Sequence, residues 1–318
     1  MKKTISVMVP TYNEEENVEL MYQALVKMFQ KDLPNYHYEI LFIDNKSKDN
    51  TRKLLRQICE KDKNVKAILN AQNFGQFNSP YYGLINTSGD CTISVAADFQ
   101  DPIEMIPKFV QSWEEGYKIV IGIKNQSKES KIMYFLRSLY YKLIKKFSEV
   151  EQIEHFTGFG LYDKKFIEVL KNLDDQDPYL RGIVSELGFE RKEIPFIQPI
   201  RERGKSSNNW YRLYDAGMLG ITSYTKVGLR IATILGFVIS TISIIVALVY
   251  LILKLCMWNS FQAGIAPLII GVFLLGGIQI FFIGFLGEYI LSINQRIMHR
   301  PLVVVEEKLN FKKCDNND

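Results

Sequence analysis

Runs of β-branched and aromatic residues alternate with segments of helical periodicity in the first half of the chain. The runs predict strands at residues 5–9, 38–43, 65–69, 92–97 and 119–123. Helices are predicted between them at 15–29 and 51–60, the second after the potential caps Asp49 and Asn50. This alternation is typical of an α/β fold, in which a mostly parallel sheet carries helices on both faces.

Two longer apolar runs without charged residues follow at 231–253 and 263–287. Each exceeds the roughly 20 residues that a helix needs to cross the hydrocarbon core of a bilayer. Because only the segment 254–262 separates them, they predict a two-helix transmembrane hairpin, with a pair of buried core helices as the alternative. Basic residues flank the hairpin, so the positive-inside rule places both of its ends in the cytoplasm. The flanking residues include Lys226, Arg230, Arg296 and Arg300.

This pattern divides the chain into three parts. Residues 1–226 are predicted to form a cytoplasmic domain with amphipathic helices next to the membrane, 227–290 the two transmembrane helices, and 291–318 a cytoplasmic tail. Within the first part, aromatic and aliphatic residues alternate with Lys and Arg over 130–147. Two interpretations stay open for this segment: a helix lying in the lipid headgroup layer, or an amphipathic helix packed on the sheet.

Composition and charge limit the kinds of partner that the chain is expected to bind. At 318 residues with 47% hydrophobic content, the chain has room for one globular domain and a membrane hairpin. The net charge of +4 is modest and the basic residues flank the apolar runs, so no nucleic-acid partner is expected. Four cysteines have neither CxxC nor metal-ligand spacing. Glycines in the second apolar run allow close helix packing and hence a homo-oligomer; they are Gly271, Gly276, Gly277 and Gly284.

Acidic residues follow successive predicted strands, namely Glu14, Asp44, Asp98 and Asp101. The carboxyl ends of parallel strands meet at one edge of an open sheet, which is where such sheets bind ligands. Carboxylate oxygens there suit Mg²⁺ or Mn²⁺, which neutralises a bound diphosphate. A single acidic residue after a strand is more often a turn or helix cap, so the prediction depends on all four sharing one edge.

The loop after the first predicted strand excludes two common nucleotide chemistries. Residues 10–15 read Pro-Thr-Tyr-Asn-Glu-Glu, and neither GxGxxG nor GxxxxGK[ST] occurs anywhere in the chain. Hydride transfer and ATP hydrolysis by the usual glycine-loop routes are therefore not expected.

Several stretches resemble the motifs of family-2 glycosyltransferases with the GT-A fold. They are Val-Pro-Thr-Tyr-Asn-Glu-Glu-Glu-Asn at 9–17, the strand ending at Asp44, Asn-Phe-Gly-Gln at 73–76 and Asp-Phe-Gln-Asp-Pro at 98–102. Within this family the chain is most similar to the polyprenyl-phosphate glycosyltransferases, relatives of dolichol-phosphate mannose synthase and the bacterial GtrB-type glucosyltransferases. Arg-Glu-Arg-Gly-Lys-Ser-Ser at 201–207, and the residues at 287–289 and 300–301, extend the resemblance over nearly the whole chain.

The resemblance implies a Rossmann-like GT-A domain followed by a transmembrane hairpin in the bacterial inner (plasma) membrane, with the catalytic domain cytoplasmic. It implies inverting transfer of a sugar from a nucleotide diphosphate donor, with UDP as the expected nucleotide, to polyprenyl phosphate, serving cell-wall or polysaccharide biosynthesis. The residues that match donor-binding positions are Pro10, Thr11, Asn13, Glu14, Asp44, Asn73 and Gln76.

The remaining site residues follow from the same resemblance. Asp98 and Gln100 match the positions that face Mg²⁺ or Mn²⁺ and the diphosphate. Catalytic roles fall to Asp98, Asp101, Arg201 and Arg203, although a solvated basic loop is an equal interpretation of the two arginines. Contacts with the acceptor lipid or the membrane edge fall to Lys205, Ser206 and Glu288.

Four positions depart from the family pattern. Many members have an acidic residue where this chain has Ala96, Gly158 and Asn45, and a lysine where it has Ser207. The missing carboxylates at Ala96 and Gly158 leave open a catalytically impaired donor-binding scaffold, and a glycosyltransferase that extends a lipid-linked saccharide or polymer is a separate alternative. A processive synthase is not expected, because the chain lacks a Gln-x-x-Arg-Trp motif.

Overall fold

A computed structural model describes residues 2–126, 153, 155–173, 175, 178–199, 203, short stretches between 234 and 256, 265–298 and 300–311. The chain forms two compact units: Met1–Tyr141, Val150–Asn209 and Met298–Asp318 make up the first, and Lys142–Glu149 and Trp210–Ile297 the second. Several predictions lie outside the described residues, namely the helix at 130–147 and the roles of Arg201, Lys205 and Ser206.

The first unit contains an eight-stranded sheet. Its strands are β1 (Thr4–Thr11), β2 (His37–Asp44), β3 (Val65–Asn70), β4 (Cys91–Ser94), β5 (Ile119–Gln126), β6 (Phe156–Asp163), β7 (Arg191–Ile197) and β8 (Val305–Leu309). Their order across the sheet is β7-β5-β6-β4-β1-β2-β3-β8. The pairs β1 with β2, β1 with β4, β2 with β3 and β5 with β7 are parallel, whereas β6 and β8 run antiparallel to their neighbours. The predicted mostly parallel α/β sheet is confirmed.

The five predicted strands are all present, with ends displaced by up to three residues. The largest differences are at β4, which ends at Ser94 instead of residue 97, and at β5, which continues to Gln126. β4 ends early because the chain turns after it, and the backbone N–H of Ala96 donates to the carboxylate of Asp101 at 2.8 Å. The acidic loop that follows β4 begins at this turn.

Helices cover both faces of the sheet. They are α1 (Val18–Asp32), α2 (Thr51–Lys61), α3 (Gly75–Ile85), α4 (Ile106–Glu114), α5 (Lys164–Asn172) and α6 (Leu180–Glu186). Helix α1 begins three residues later than predicted, because the Glu14 carbonyl first accepts the N–H groups of Asn17 and Val18 in a turn, each at 2.9 Å. Of the two predicted caps of α2, Asp49 accepts the Thr51 N–H at 3.0 Å, whereas the Asn50 side chain donates to Glu15 at 2.8 Å.

The core has two layers because side chains alternate between the faces of each strand. In β1, Val7 and Val9 pack with the layer of α1, α2 and α4, while Met8 packs with the layer of α3, α5 and α6. The same alternation separates Phe42 from Leu41 in β2. All five side chains are buried, so the central strands are apolar on both faces, as parallel strands require.

The C-terminal segment predicted as a tail contributes β8 to this sheet. β8 pairs antiparallel with β3, with Leu309 opposite Ala67. The Asn310 side chain then donates to the carbonyls of Cys59 and Val65 at 2.6 and 2.7 Å. The last strand of the domain therefore comes from residues that follow both apolar runs in the chain.

The second unit contains a 33-residue helix, α7 (Ile265–Ile297), which includes most of the second apolar run and Glu288. Large apolar side chains are exposed along it, among them Leu268, Val272, Ile280 and Ile283. Of the first run, only short stretches between 234 and 256 are described. No helix in the described part of the chain meets the length and hydropathy needed to cross a membrane.

A buried carboxylate ties strands together at the amino end of the sheet. Glu39 is 4% exposed and accepts hydrogen bonds from the side chains of Lys66, Ser6 and Ser88. Burial alone would raise the pKa of Glu39, but the hydrogen bonds from Lys66, Ser6 and Ser88 outweigh it, so the pKa is lowered. The ionised form of Glu39 therefore stabilises the folded state.

We predict that Glu39→Gln lowers the free energy of unfolding by about 1–3 kcal/mol, because it breaks a charged, buried hydrogen-bond network. Denaturant unfolding of the purified full chain at neutral pH measures this change. Because the folded pKa of Glu39 is depressed, its contribution is present above the ordinary value of 4.5 and is lost as the pH falls through the folded pKa. The gap between variant and parent should therefore shrink in acid.

The matched control is Glu114→Gln, since Glu114 pairs with Lys3 at 2.9 Å but is 41% exposed. Exposed pairs contribute roughly 0.2–1 kcal/mol, so its effect should be smaller. Equal losses in the two variants, or a Glu39→Gln difference that does not depend on pH, would contradict this account.

Candidate active site

The loops that follow β1, β2, β3 and β4 meet at one edge of the sheet. The parallel register places Thr11 opposite Asp44, and the Asn45 N–H donates to the Thr11 carbonyl at 2.9 Å. The structure therefore brings the predicted donor-site residues to the loops of one edge, which we call the rim. The rim consists of residues 10–17, 44–51, 71–76 and 95–102.

Asp44 is fully buried and holds the loop after β2. Its carboxylate accepts hydrogen bonds from the Ser47 hydroxyl and from the Ser47 N–H, the latter at 3.1 Å. Nε of Arg52 lies 3.3 Å from the same carboxylate without a hydrogen-bond geometry. Burial is the main reason that the pKa of Asp44 is raised, and the bonds from Ser47 and the charge of Arg52 oppose it. In this conformation Asp44 organises the loop, and its carboxylate is fully buried.

The loop after β1 is bonded directly to the loop after β2. The N–H of Asn13 donates to the Ser47 hydroxyl at 2.8 Å, and the Asn13 side chain accepts the Lys48 N–H at 2.8 Å. The N–H of Glu14 donates to the Thr51 hydroxyl at 2.9 Å. Two of the predicted donor-site residues, Asn13 and Glu14, therefore also fix the relative position of the two loops.

Asn45 connects the loop after β2 to the loop after β3. Its side-chain NH₂ donates to the Asn73 side chain at 3.0 Å and to the Gly75 carbonyl at 2.9 Å, while its oxygen accepts the Phe74 N–H at 2.8 Å. An aspartate has no such donors. The departure from the family acidic residue at position 45 thus has a physical reason, because the asparagine clamps residues 73–75.

Left-handed backbone recurs at the rim. Asn13, Lys46 and Phe99 have φ values of 57°, 63° and 59°, one in each of the loops after β1, β2 and β4. Such a conformation costs about 1–3 kcal/mol for residues other than glycine and is found preferentially at functional sites. Hydrogen bonds hold two of these residues in place: Asn13 bonds to Ser47 and Lys48, and Lys46 bonds to Glu306.

The acidic loop after β4 contains the predicted metal and catalytic residues. Asp98 accepts the Gln100 N–H at 3.2 Å, and Asp101 accepts the Ala96 N–H at 2.8 Å. Asp101 is 7% exposed, and its burial, together with the nearby charge of Asp98, raises its pKa to about 7. Asp101 therefore holds the loop through its bond with the Ala96 N–H. Asp98 is the less buried carboxylate of the two.

Ala96 and Gly158 are two of the three positions where many family members have an acidic residue. Ala96 follows β4, which pairs with β6 only as far as Ser94 and Gly160, and Gly158 lies within β6. Gly158 has φ +104°, a conformation that an L side chain rarely adopts, although a Cβ there would meet no atom within 4 Å. Position 158 is therefore shaped for glycine by its backbone, and the Tyr162 hydroxyl donates to its carbonyl at 3.0 Å.

Three other predicted site residues lie at separate places in the structure. Gln76 lies in the first turn of α3 and is exposed, and Arg203 is exposed. Glu288 lies in α7 of the second unit, and its contact with the acceptor lipid or the membrane edge stays a prediction. Among the residues that the structure describes, no three His, Cys, Asp or Glu side chains are grouped to hold a metal ion.

Sequence reasoning missed the polar residues that hold the rim together. Ser47 and Thr51 bond to the loop after β1, and Arg52 approaches Asp44. A signal for Ser47 was present, because a serine three residues after an aspartate commonly closes a turn. No local pattern marks Arg52, whose second partner, Glu306, is distant in the chain.

Comparison with known proteins identifies the family. Residues 6–172, more than half of the chain, match glycosyl transferase family 2. The chain belongs to this family. It is therefore a glycosyltransferase, and the rim at the carboxyl ends of β1 to β4 lies within the matched region.

Several relatives match this glycosyltransferase over nearly its full length. A bactoprenol glucosyl transferase of Shigella phage SfV is 30% identical over 96% of this chain and 98% of that protein. A prophage bactoprenol glucosyl transferase homolog of Escherichia coli K12 is 30% identical over 95% of this chain and 98% of its own. The putative glycosyltransferase CsbB of Bacillus subtilis is 30% identical, with 95% and 91% covered.

Solved structures are more distant. Glucosyl-3-phosphoglycerate synthase of Mycobacterium tuberculosis, in complex with Mn²⁺, UDP and phosphoglyceric acid, is 16% identical with a TM-score of 0.45, covering 69% of this chain and 76% of that one. Mannosyltransferase PcManGT of Pyrobaculum calidifontis, in complex with GDP-Man and Mn²⁺, is 14% identical with a TM-score of 0.45, covering 70% and 63%.

We predict that Asn45→Asp loosens the rim, because the aspartate cannot donate to Asn73 and Gly75 and adds a charge next to Asp44. The expected loss in the free energy of unfolding is about 1–3 kcal/mol at neutral pH. Asn73→Asp is the matched control, since Asn73 acts here as an acceptor, from Asn45 and from the Gly75 N–H at 2.9 Å. Denaturant unfolding compares the two, and a larger loss for Asn73→Asp would refute the clamp.

Proposed function

We propose that this glycosyltransferase moves a sugar from a nucleotide diphosphate sugar, carried on UDP, to polyprenyl phosphate at the cytoplasmic face of the bacterial plasma membrane. The acceptor phosphate oxygen bonds to the anomeric carbon as the bond to the diphosphate breaks, and the nucleoside diphosphate leaves with the electron pair. The configuration at the anomeric carbon is inverted in this single displacement.

One observation carries the proposal. The similarity to bactoprenol glucosyl transferases covers 95–96% of this chain and 97–98% of those from Shigella phage SfV and Shigella flexneri, and so extends far beyond the family domain at 6–172. The segment beyond that domain contains the two apolar runs and residues 201–207. The acceptor class is therefore inferred from the relatives, and the reaction class from the family.

The chemistry of the acceptor agrees with the residues at the rim. A phosphate monoester is already ionised near neutral pH, so its attack requires no protein base. Asp101, whose pKa is raised to about 7 and which accepts the Ala96 N–H, then positions the loop instead of removing a proton. The absence of a carboxylate at Ala96 and Gly158 is compatible with this reaction.

Asp98 and Gln100 are the residues that would hold Mg²⁺ or Mn²⁺. The donor set fits a cation bound chiefly by substrate phosphates, because Mg²⁺ is commonly held by one or two carboxylates plus phosphates and water. A cation beside Asp98 also offsets the charge repulsion between Asp98 and Asp101. When bound, the cation stabilises the negative charge of the departing diphosphate.

The membrane part of the proposal rests on the two apolar runs and on the exposed apolar side chains of α7. A large exposed apolar surface is typical of membrane or protein contact sites. We propose that 231–253 and 263–287 form a transmembrane hairpin with both ends cytoplasmic, which keeps the catalytic domain beside the lipid phosphate.

Incubating the purified full chain with a panel of nucleotide sugars and undecaprenyl phosphate tests the proposal directly. Mass spectrometry should find one sugar joined through phosphate to the lipid, with release of the nucleoside diphosphate. Transfer only to a lipid-linked saccharide would replace this function by the extension of such saccharides. Binding of donor without any product would favour the scaffold interpretation.

We predict that Asp98→Asn lowers kcat/KM about a hundredfold or more, because it removes the charge that holds the cation against the diphosphate. Asp101→Asn is the control: it retains an acceptor for the Ala96 N–H and should cost less than tenfold if no proton is transferred. Chelators should stop transfer by the parent protein, and added Mg²⁺ or Mn²⁺ should restore it. Near-normal, chelator-insensitive transfer by Asp98→Asn would contradict the metal assignment.

For the topology, we predict that a cysteine at Asn259, in a variant without native cysteines, reacts with a membrane-impermeant thiol reagent from outside intact cells. The reason is that the segment between the runs carries only one Lys, while the flanks carry many basic residues. A cysteine at Lys312 should react only after permeabilisation. Labelling of position 259 from the cytoplasmic side alone would exclude this topology.

A further inference from the structure

The strand β8 presents two adjacent glutamates to helix α2 and to the loop after β2. Glu307 receives two hydrogen bonds from the Arg56 guanidinium, at 2.7 and 3.0 Å. Glu306 lies closer to the rim, where it contacts Lys46 at 2.6 Å and Arg52 at 3.2 Å. Two neighbouring carboxylates of the same strand thus have different surroundings, one at the rim and one away from it.

The contacts of Glu306 continue into the core of the rim. Arg52 is 14% exposed and lies between the carboxylates of Glu306 and Asp44, at 3.2 and 3.3 Å. Asp44 in turn holds Ser47, whose hydroxyl accepts the Asn13 N–H from the loop after β1. A continuous series of polar contacts therefore connects the C-terminal strand to the loop that begins at Pro10.

Glu306 also acts on a residue in left-handed backbone. Lys46, at φ 63°, is neither glycine nor asparagine, so its conformation needs support from its surroundings. Its ammonium group is bonded to Glu306, and the next residue, Ser47, is bonded to Asp44. Both ends of this short turn are thereby fixed, one by β8 and the other by β2.

Two other contacts attach the C-terminal segment to this part of the domain independently of Glu306. The Val304 carbonyl accepts the Ala71 N–H at 2.8 Å, next to the loop 73–75, and the Asn310 side chain bonds to the turn between α2 and β3. We therefore expect β8 to keep its register when Glu306 is replaced, so that the replacement removes a charge from the rim.

We infer that Glu306 is a positioning residue of the nucleotide site: through Lys46, Arg52 and Asp44 it holds the loop 44–51 in the shape that receives the nucleoside of the donor. This inference rests on the proposed function for the identity of the donor. The segment that follows the apolar runs therefore contributes a positioning residue to the donor site. Glu306 acts through other residues and affects donor binding, whereas the displacement at the anomeric carbon depends on Asp98.

The experiment compares Glu306→Gln with Glu307→Gln in the full chain, measuring the Kd of UDP by calorimetry and the donor KM and kcat by lipid transfer. Glu307→Gln is the matched control, because Glu307 lies next to Glu306 on β8 and pairs with Arg56, which forms no ion pair with Asp44. Glu306→Gln should raise the UDP Kd and the donor KM about fivefold with kcat within about twofold, whereas Glu307→Gln should change none of them by more than about twofold. Glu306→Asp should recover most of the affinity.

Equal effects of the two glutamine variants on UDP binding, or a fall in kcat alone, would overturn the inference. Lys46→Asn gives a second test if Glu306→Gln fails to fold, because asparagine tolerates left-handed backbone while removing the ammonium group. It should also weaken UDP binding, and unchanged binding would likewise overturn the inference. If no nucleotide sugar yields a lipid product but UDP affinity still separates Glu306→Gln from Glu307→Gln, the proposed acceptor is wrong and the role of Glu306 stands.

Discussion

The parallel pairing of β1 with β2 and β4, and of β2 with β3, is the constraint on which the site depends. It brings the ends of four strands to one edge of the sheet, so that residues more than eighty positions apart, such as Asn13 and Asp98, lie on loops of the same rim. The strands themselves are apolar on both faces and are held between two layers of helices. A rigid sheet thus carries polar loops whose positions are set by the register.

The loops are in turn held to each other by hydrogen bonds and ion pairs. Asp44 and Asn45 are central. Asp44 ends β2 and holds Ser47, whose hydroxyl accepts the Asn13 N–H of the loop after β1, while Asn45 bonds to the Gly75 carbonyl beyond β3. Buried polar groups of this kind stabilise the fold only when they are fully bonded. Asn45 stands where many family members have an acidic residue. It satisfies this condition because its amide supplies donors that a carboxylate lacks.

The parts of the fold that were predicted from the sequence are those whose pattern is local. The central strands have apolar runs and were found within a few residues. β6, β7 and β8 were missed for physical reasons: β6 contains Gly158 and Gly160, β7 is an edge strand with Pro195, and β8 has charged residues that face α2. The position of the rim at one edge of the sheet was predicted because acidic residues mark the ends of successive strands. The role of Arg52 was not predicted, because it depends on tertiary contacts that no short motif indicates.

The central claim is that the rim binds the nucleotide, and hydrogen exchange of the full chain with and without UDP tests it most directly. The account predicts slower exchange in the loops at 10–17, 44–51, 71–76 and 95–102, because bound nucleotide restricts their opening. The polar cleft at the opposite end of the sheet, lined by Lys3, Trp113 and Lys165 among others, should be unaffected. Protection at that cleft, with unchanged exchange at the rim, would contradict the account.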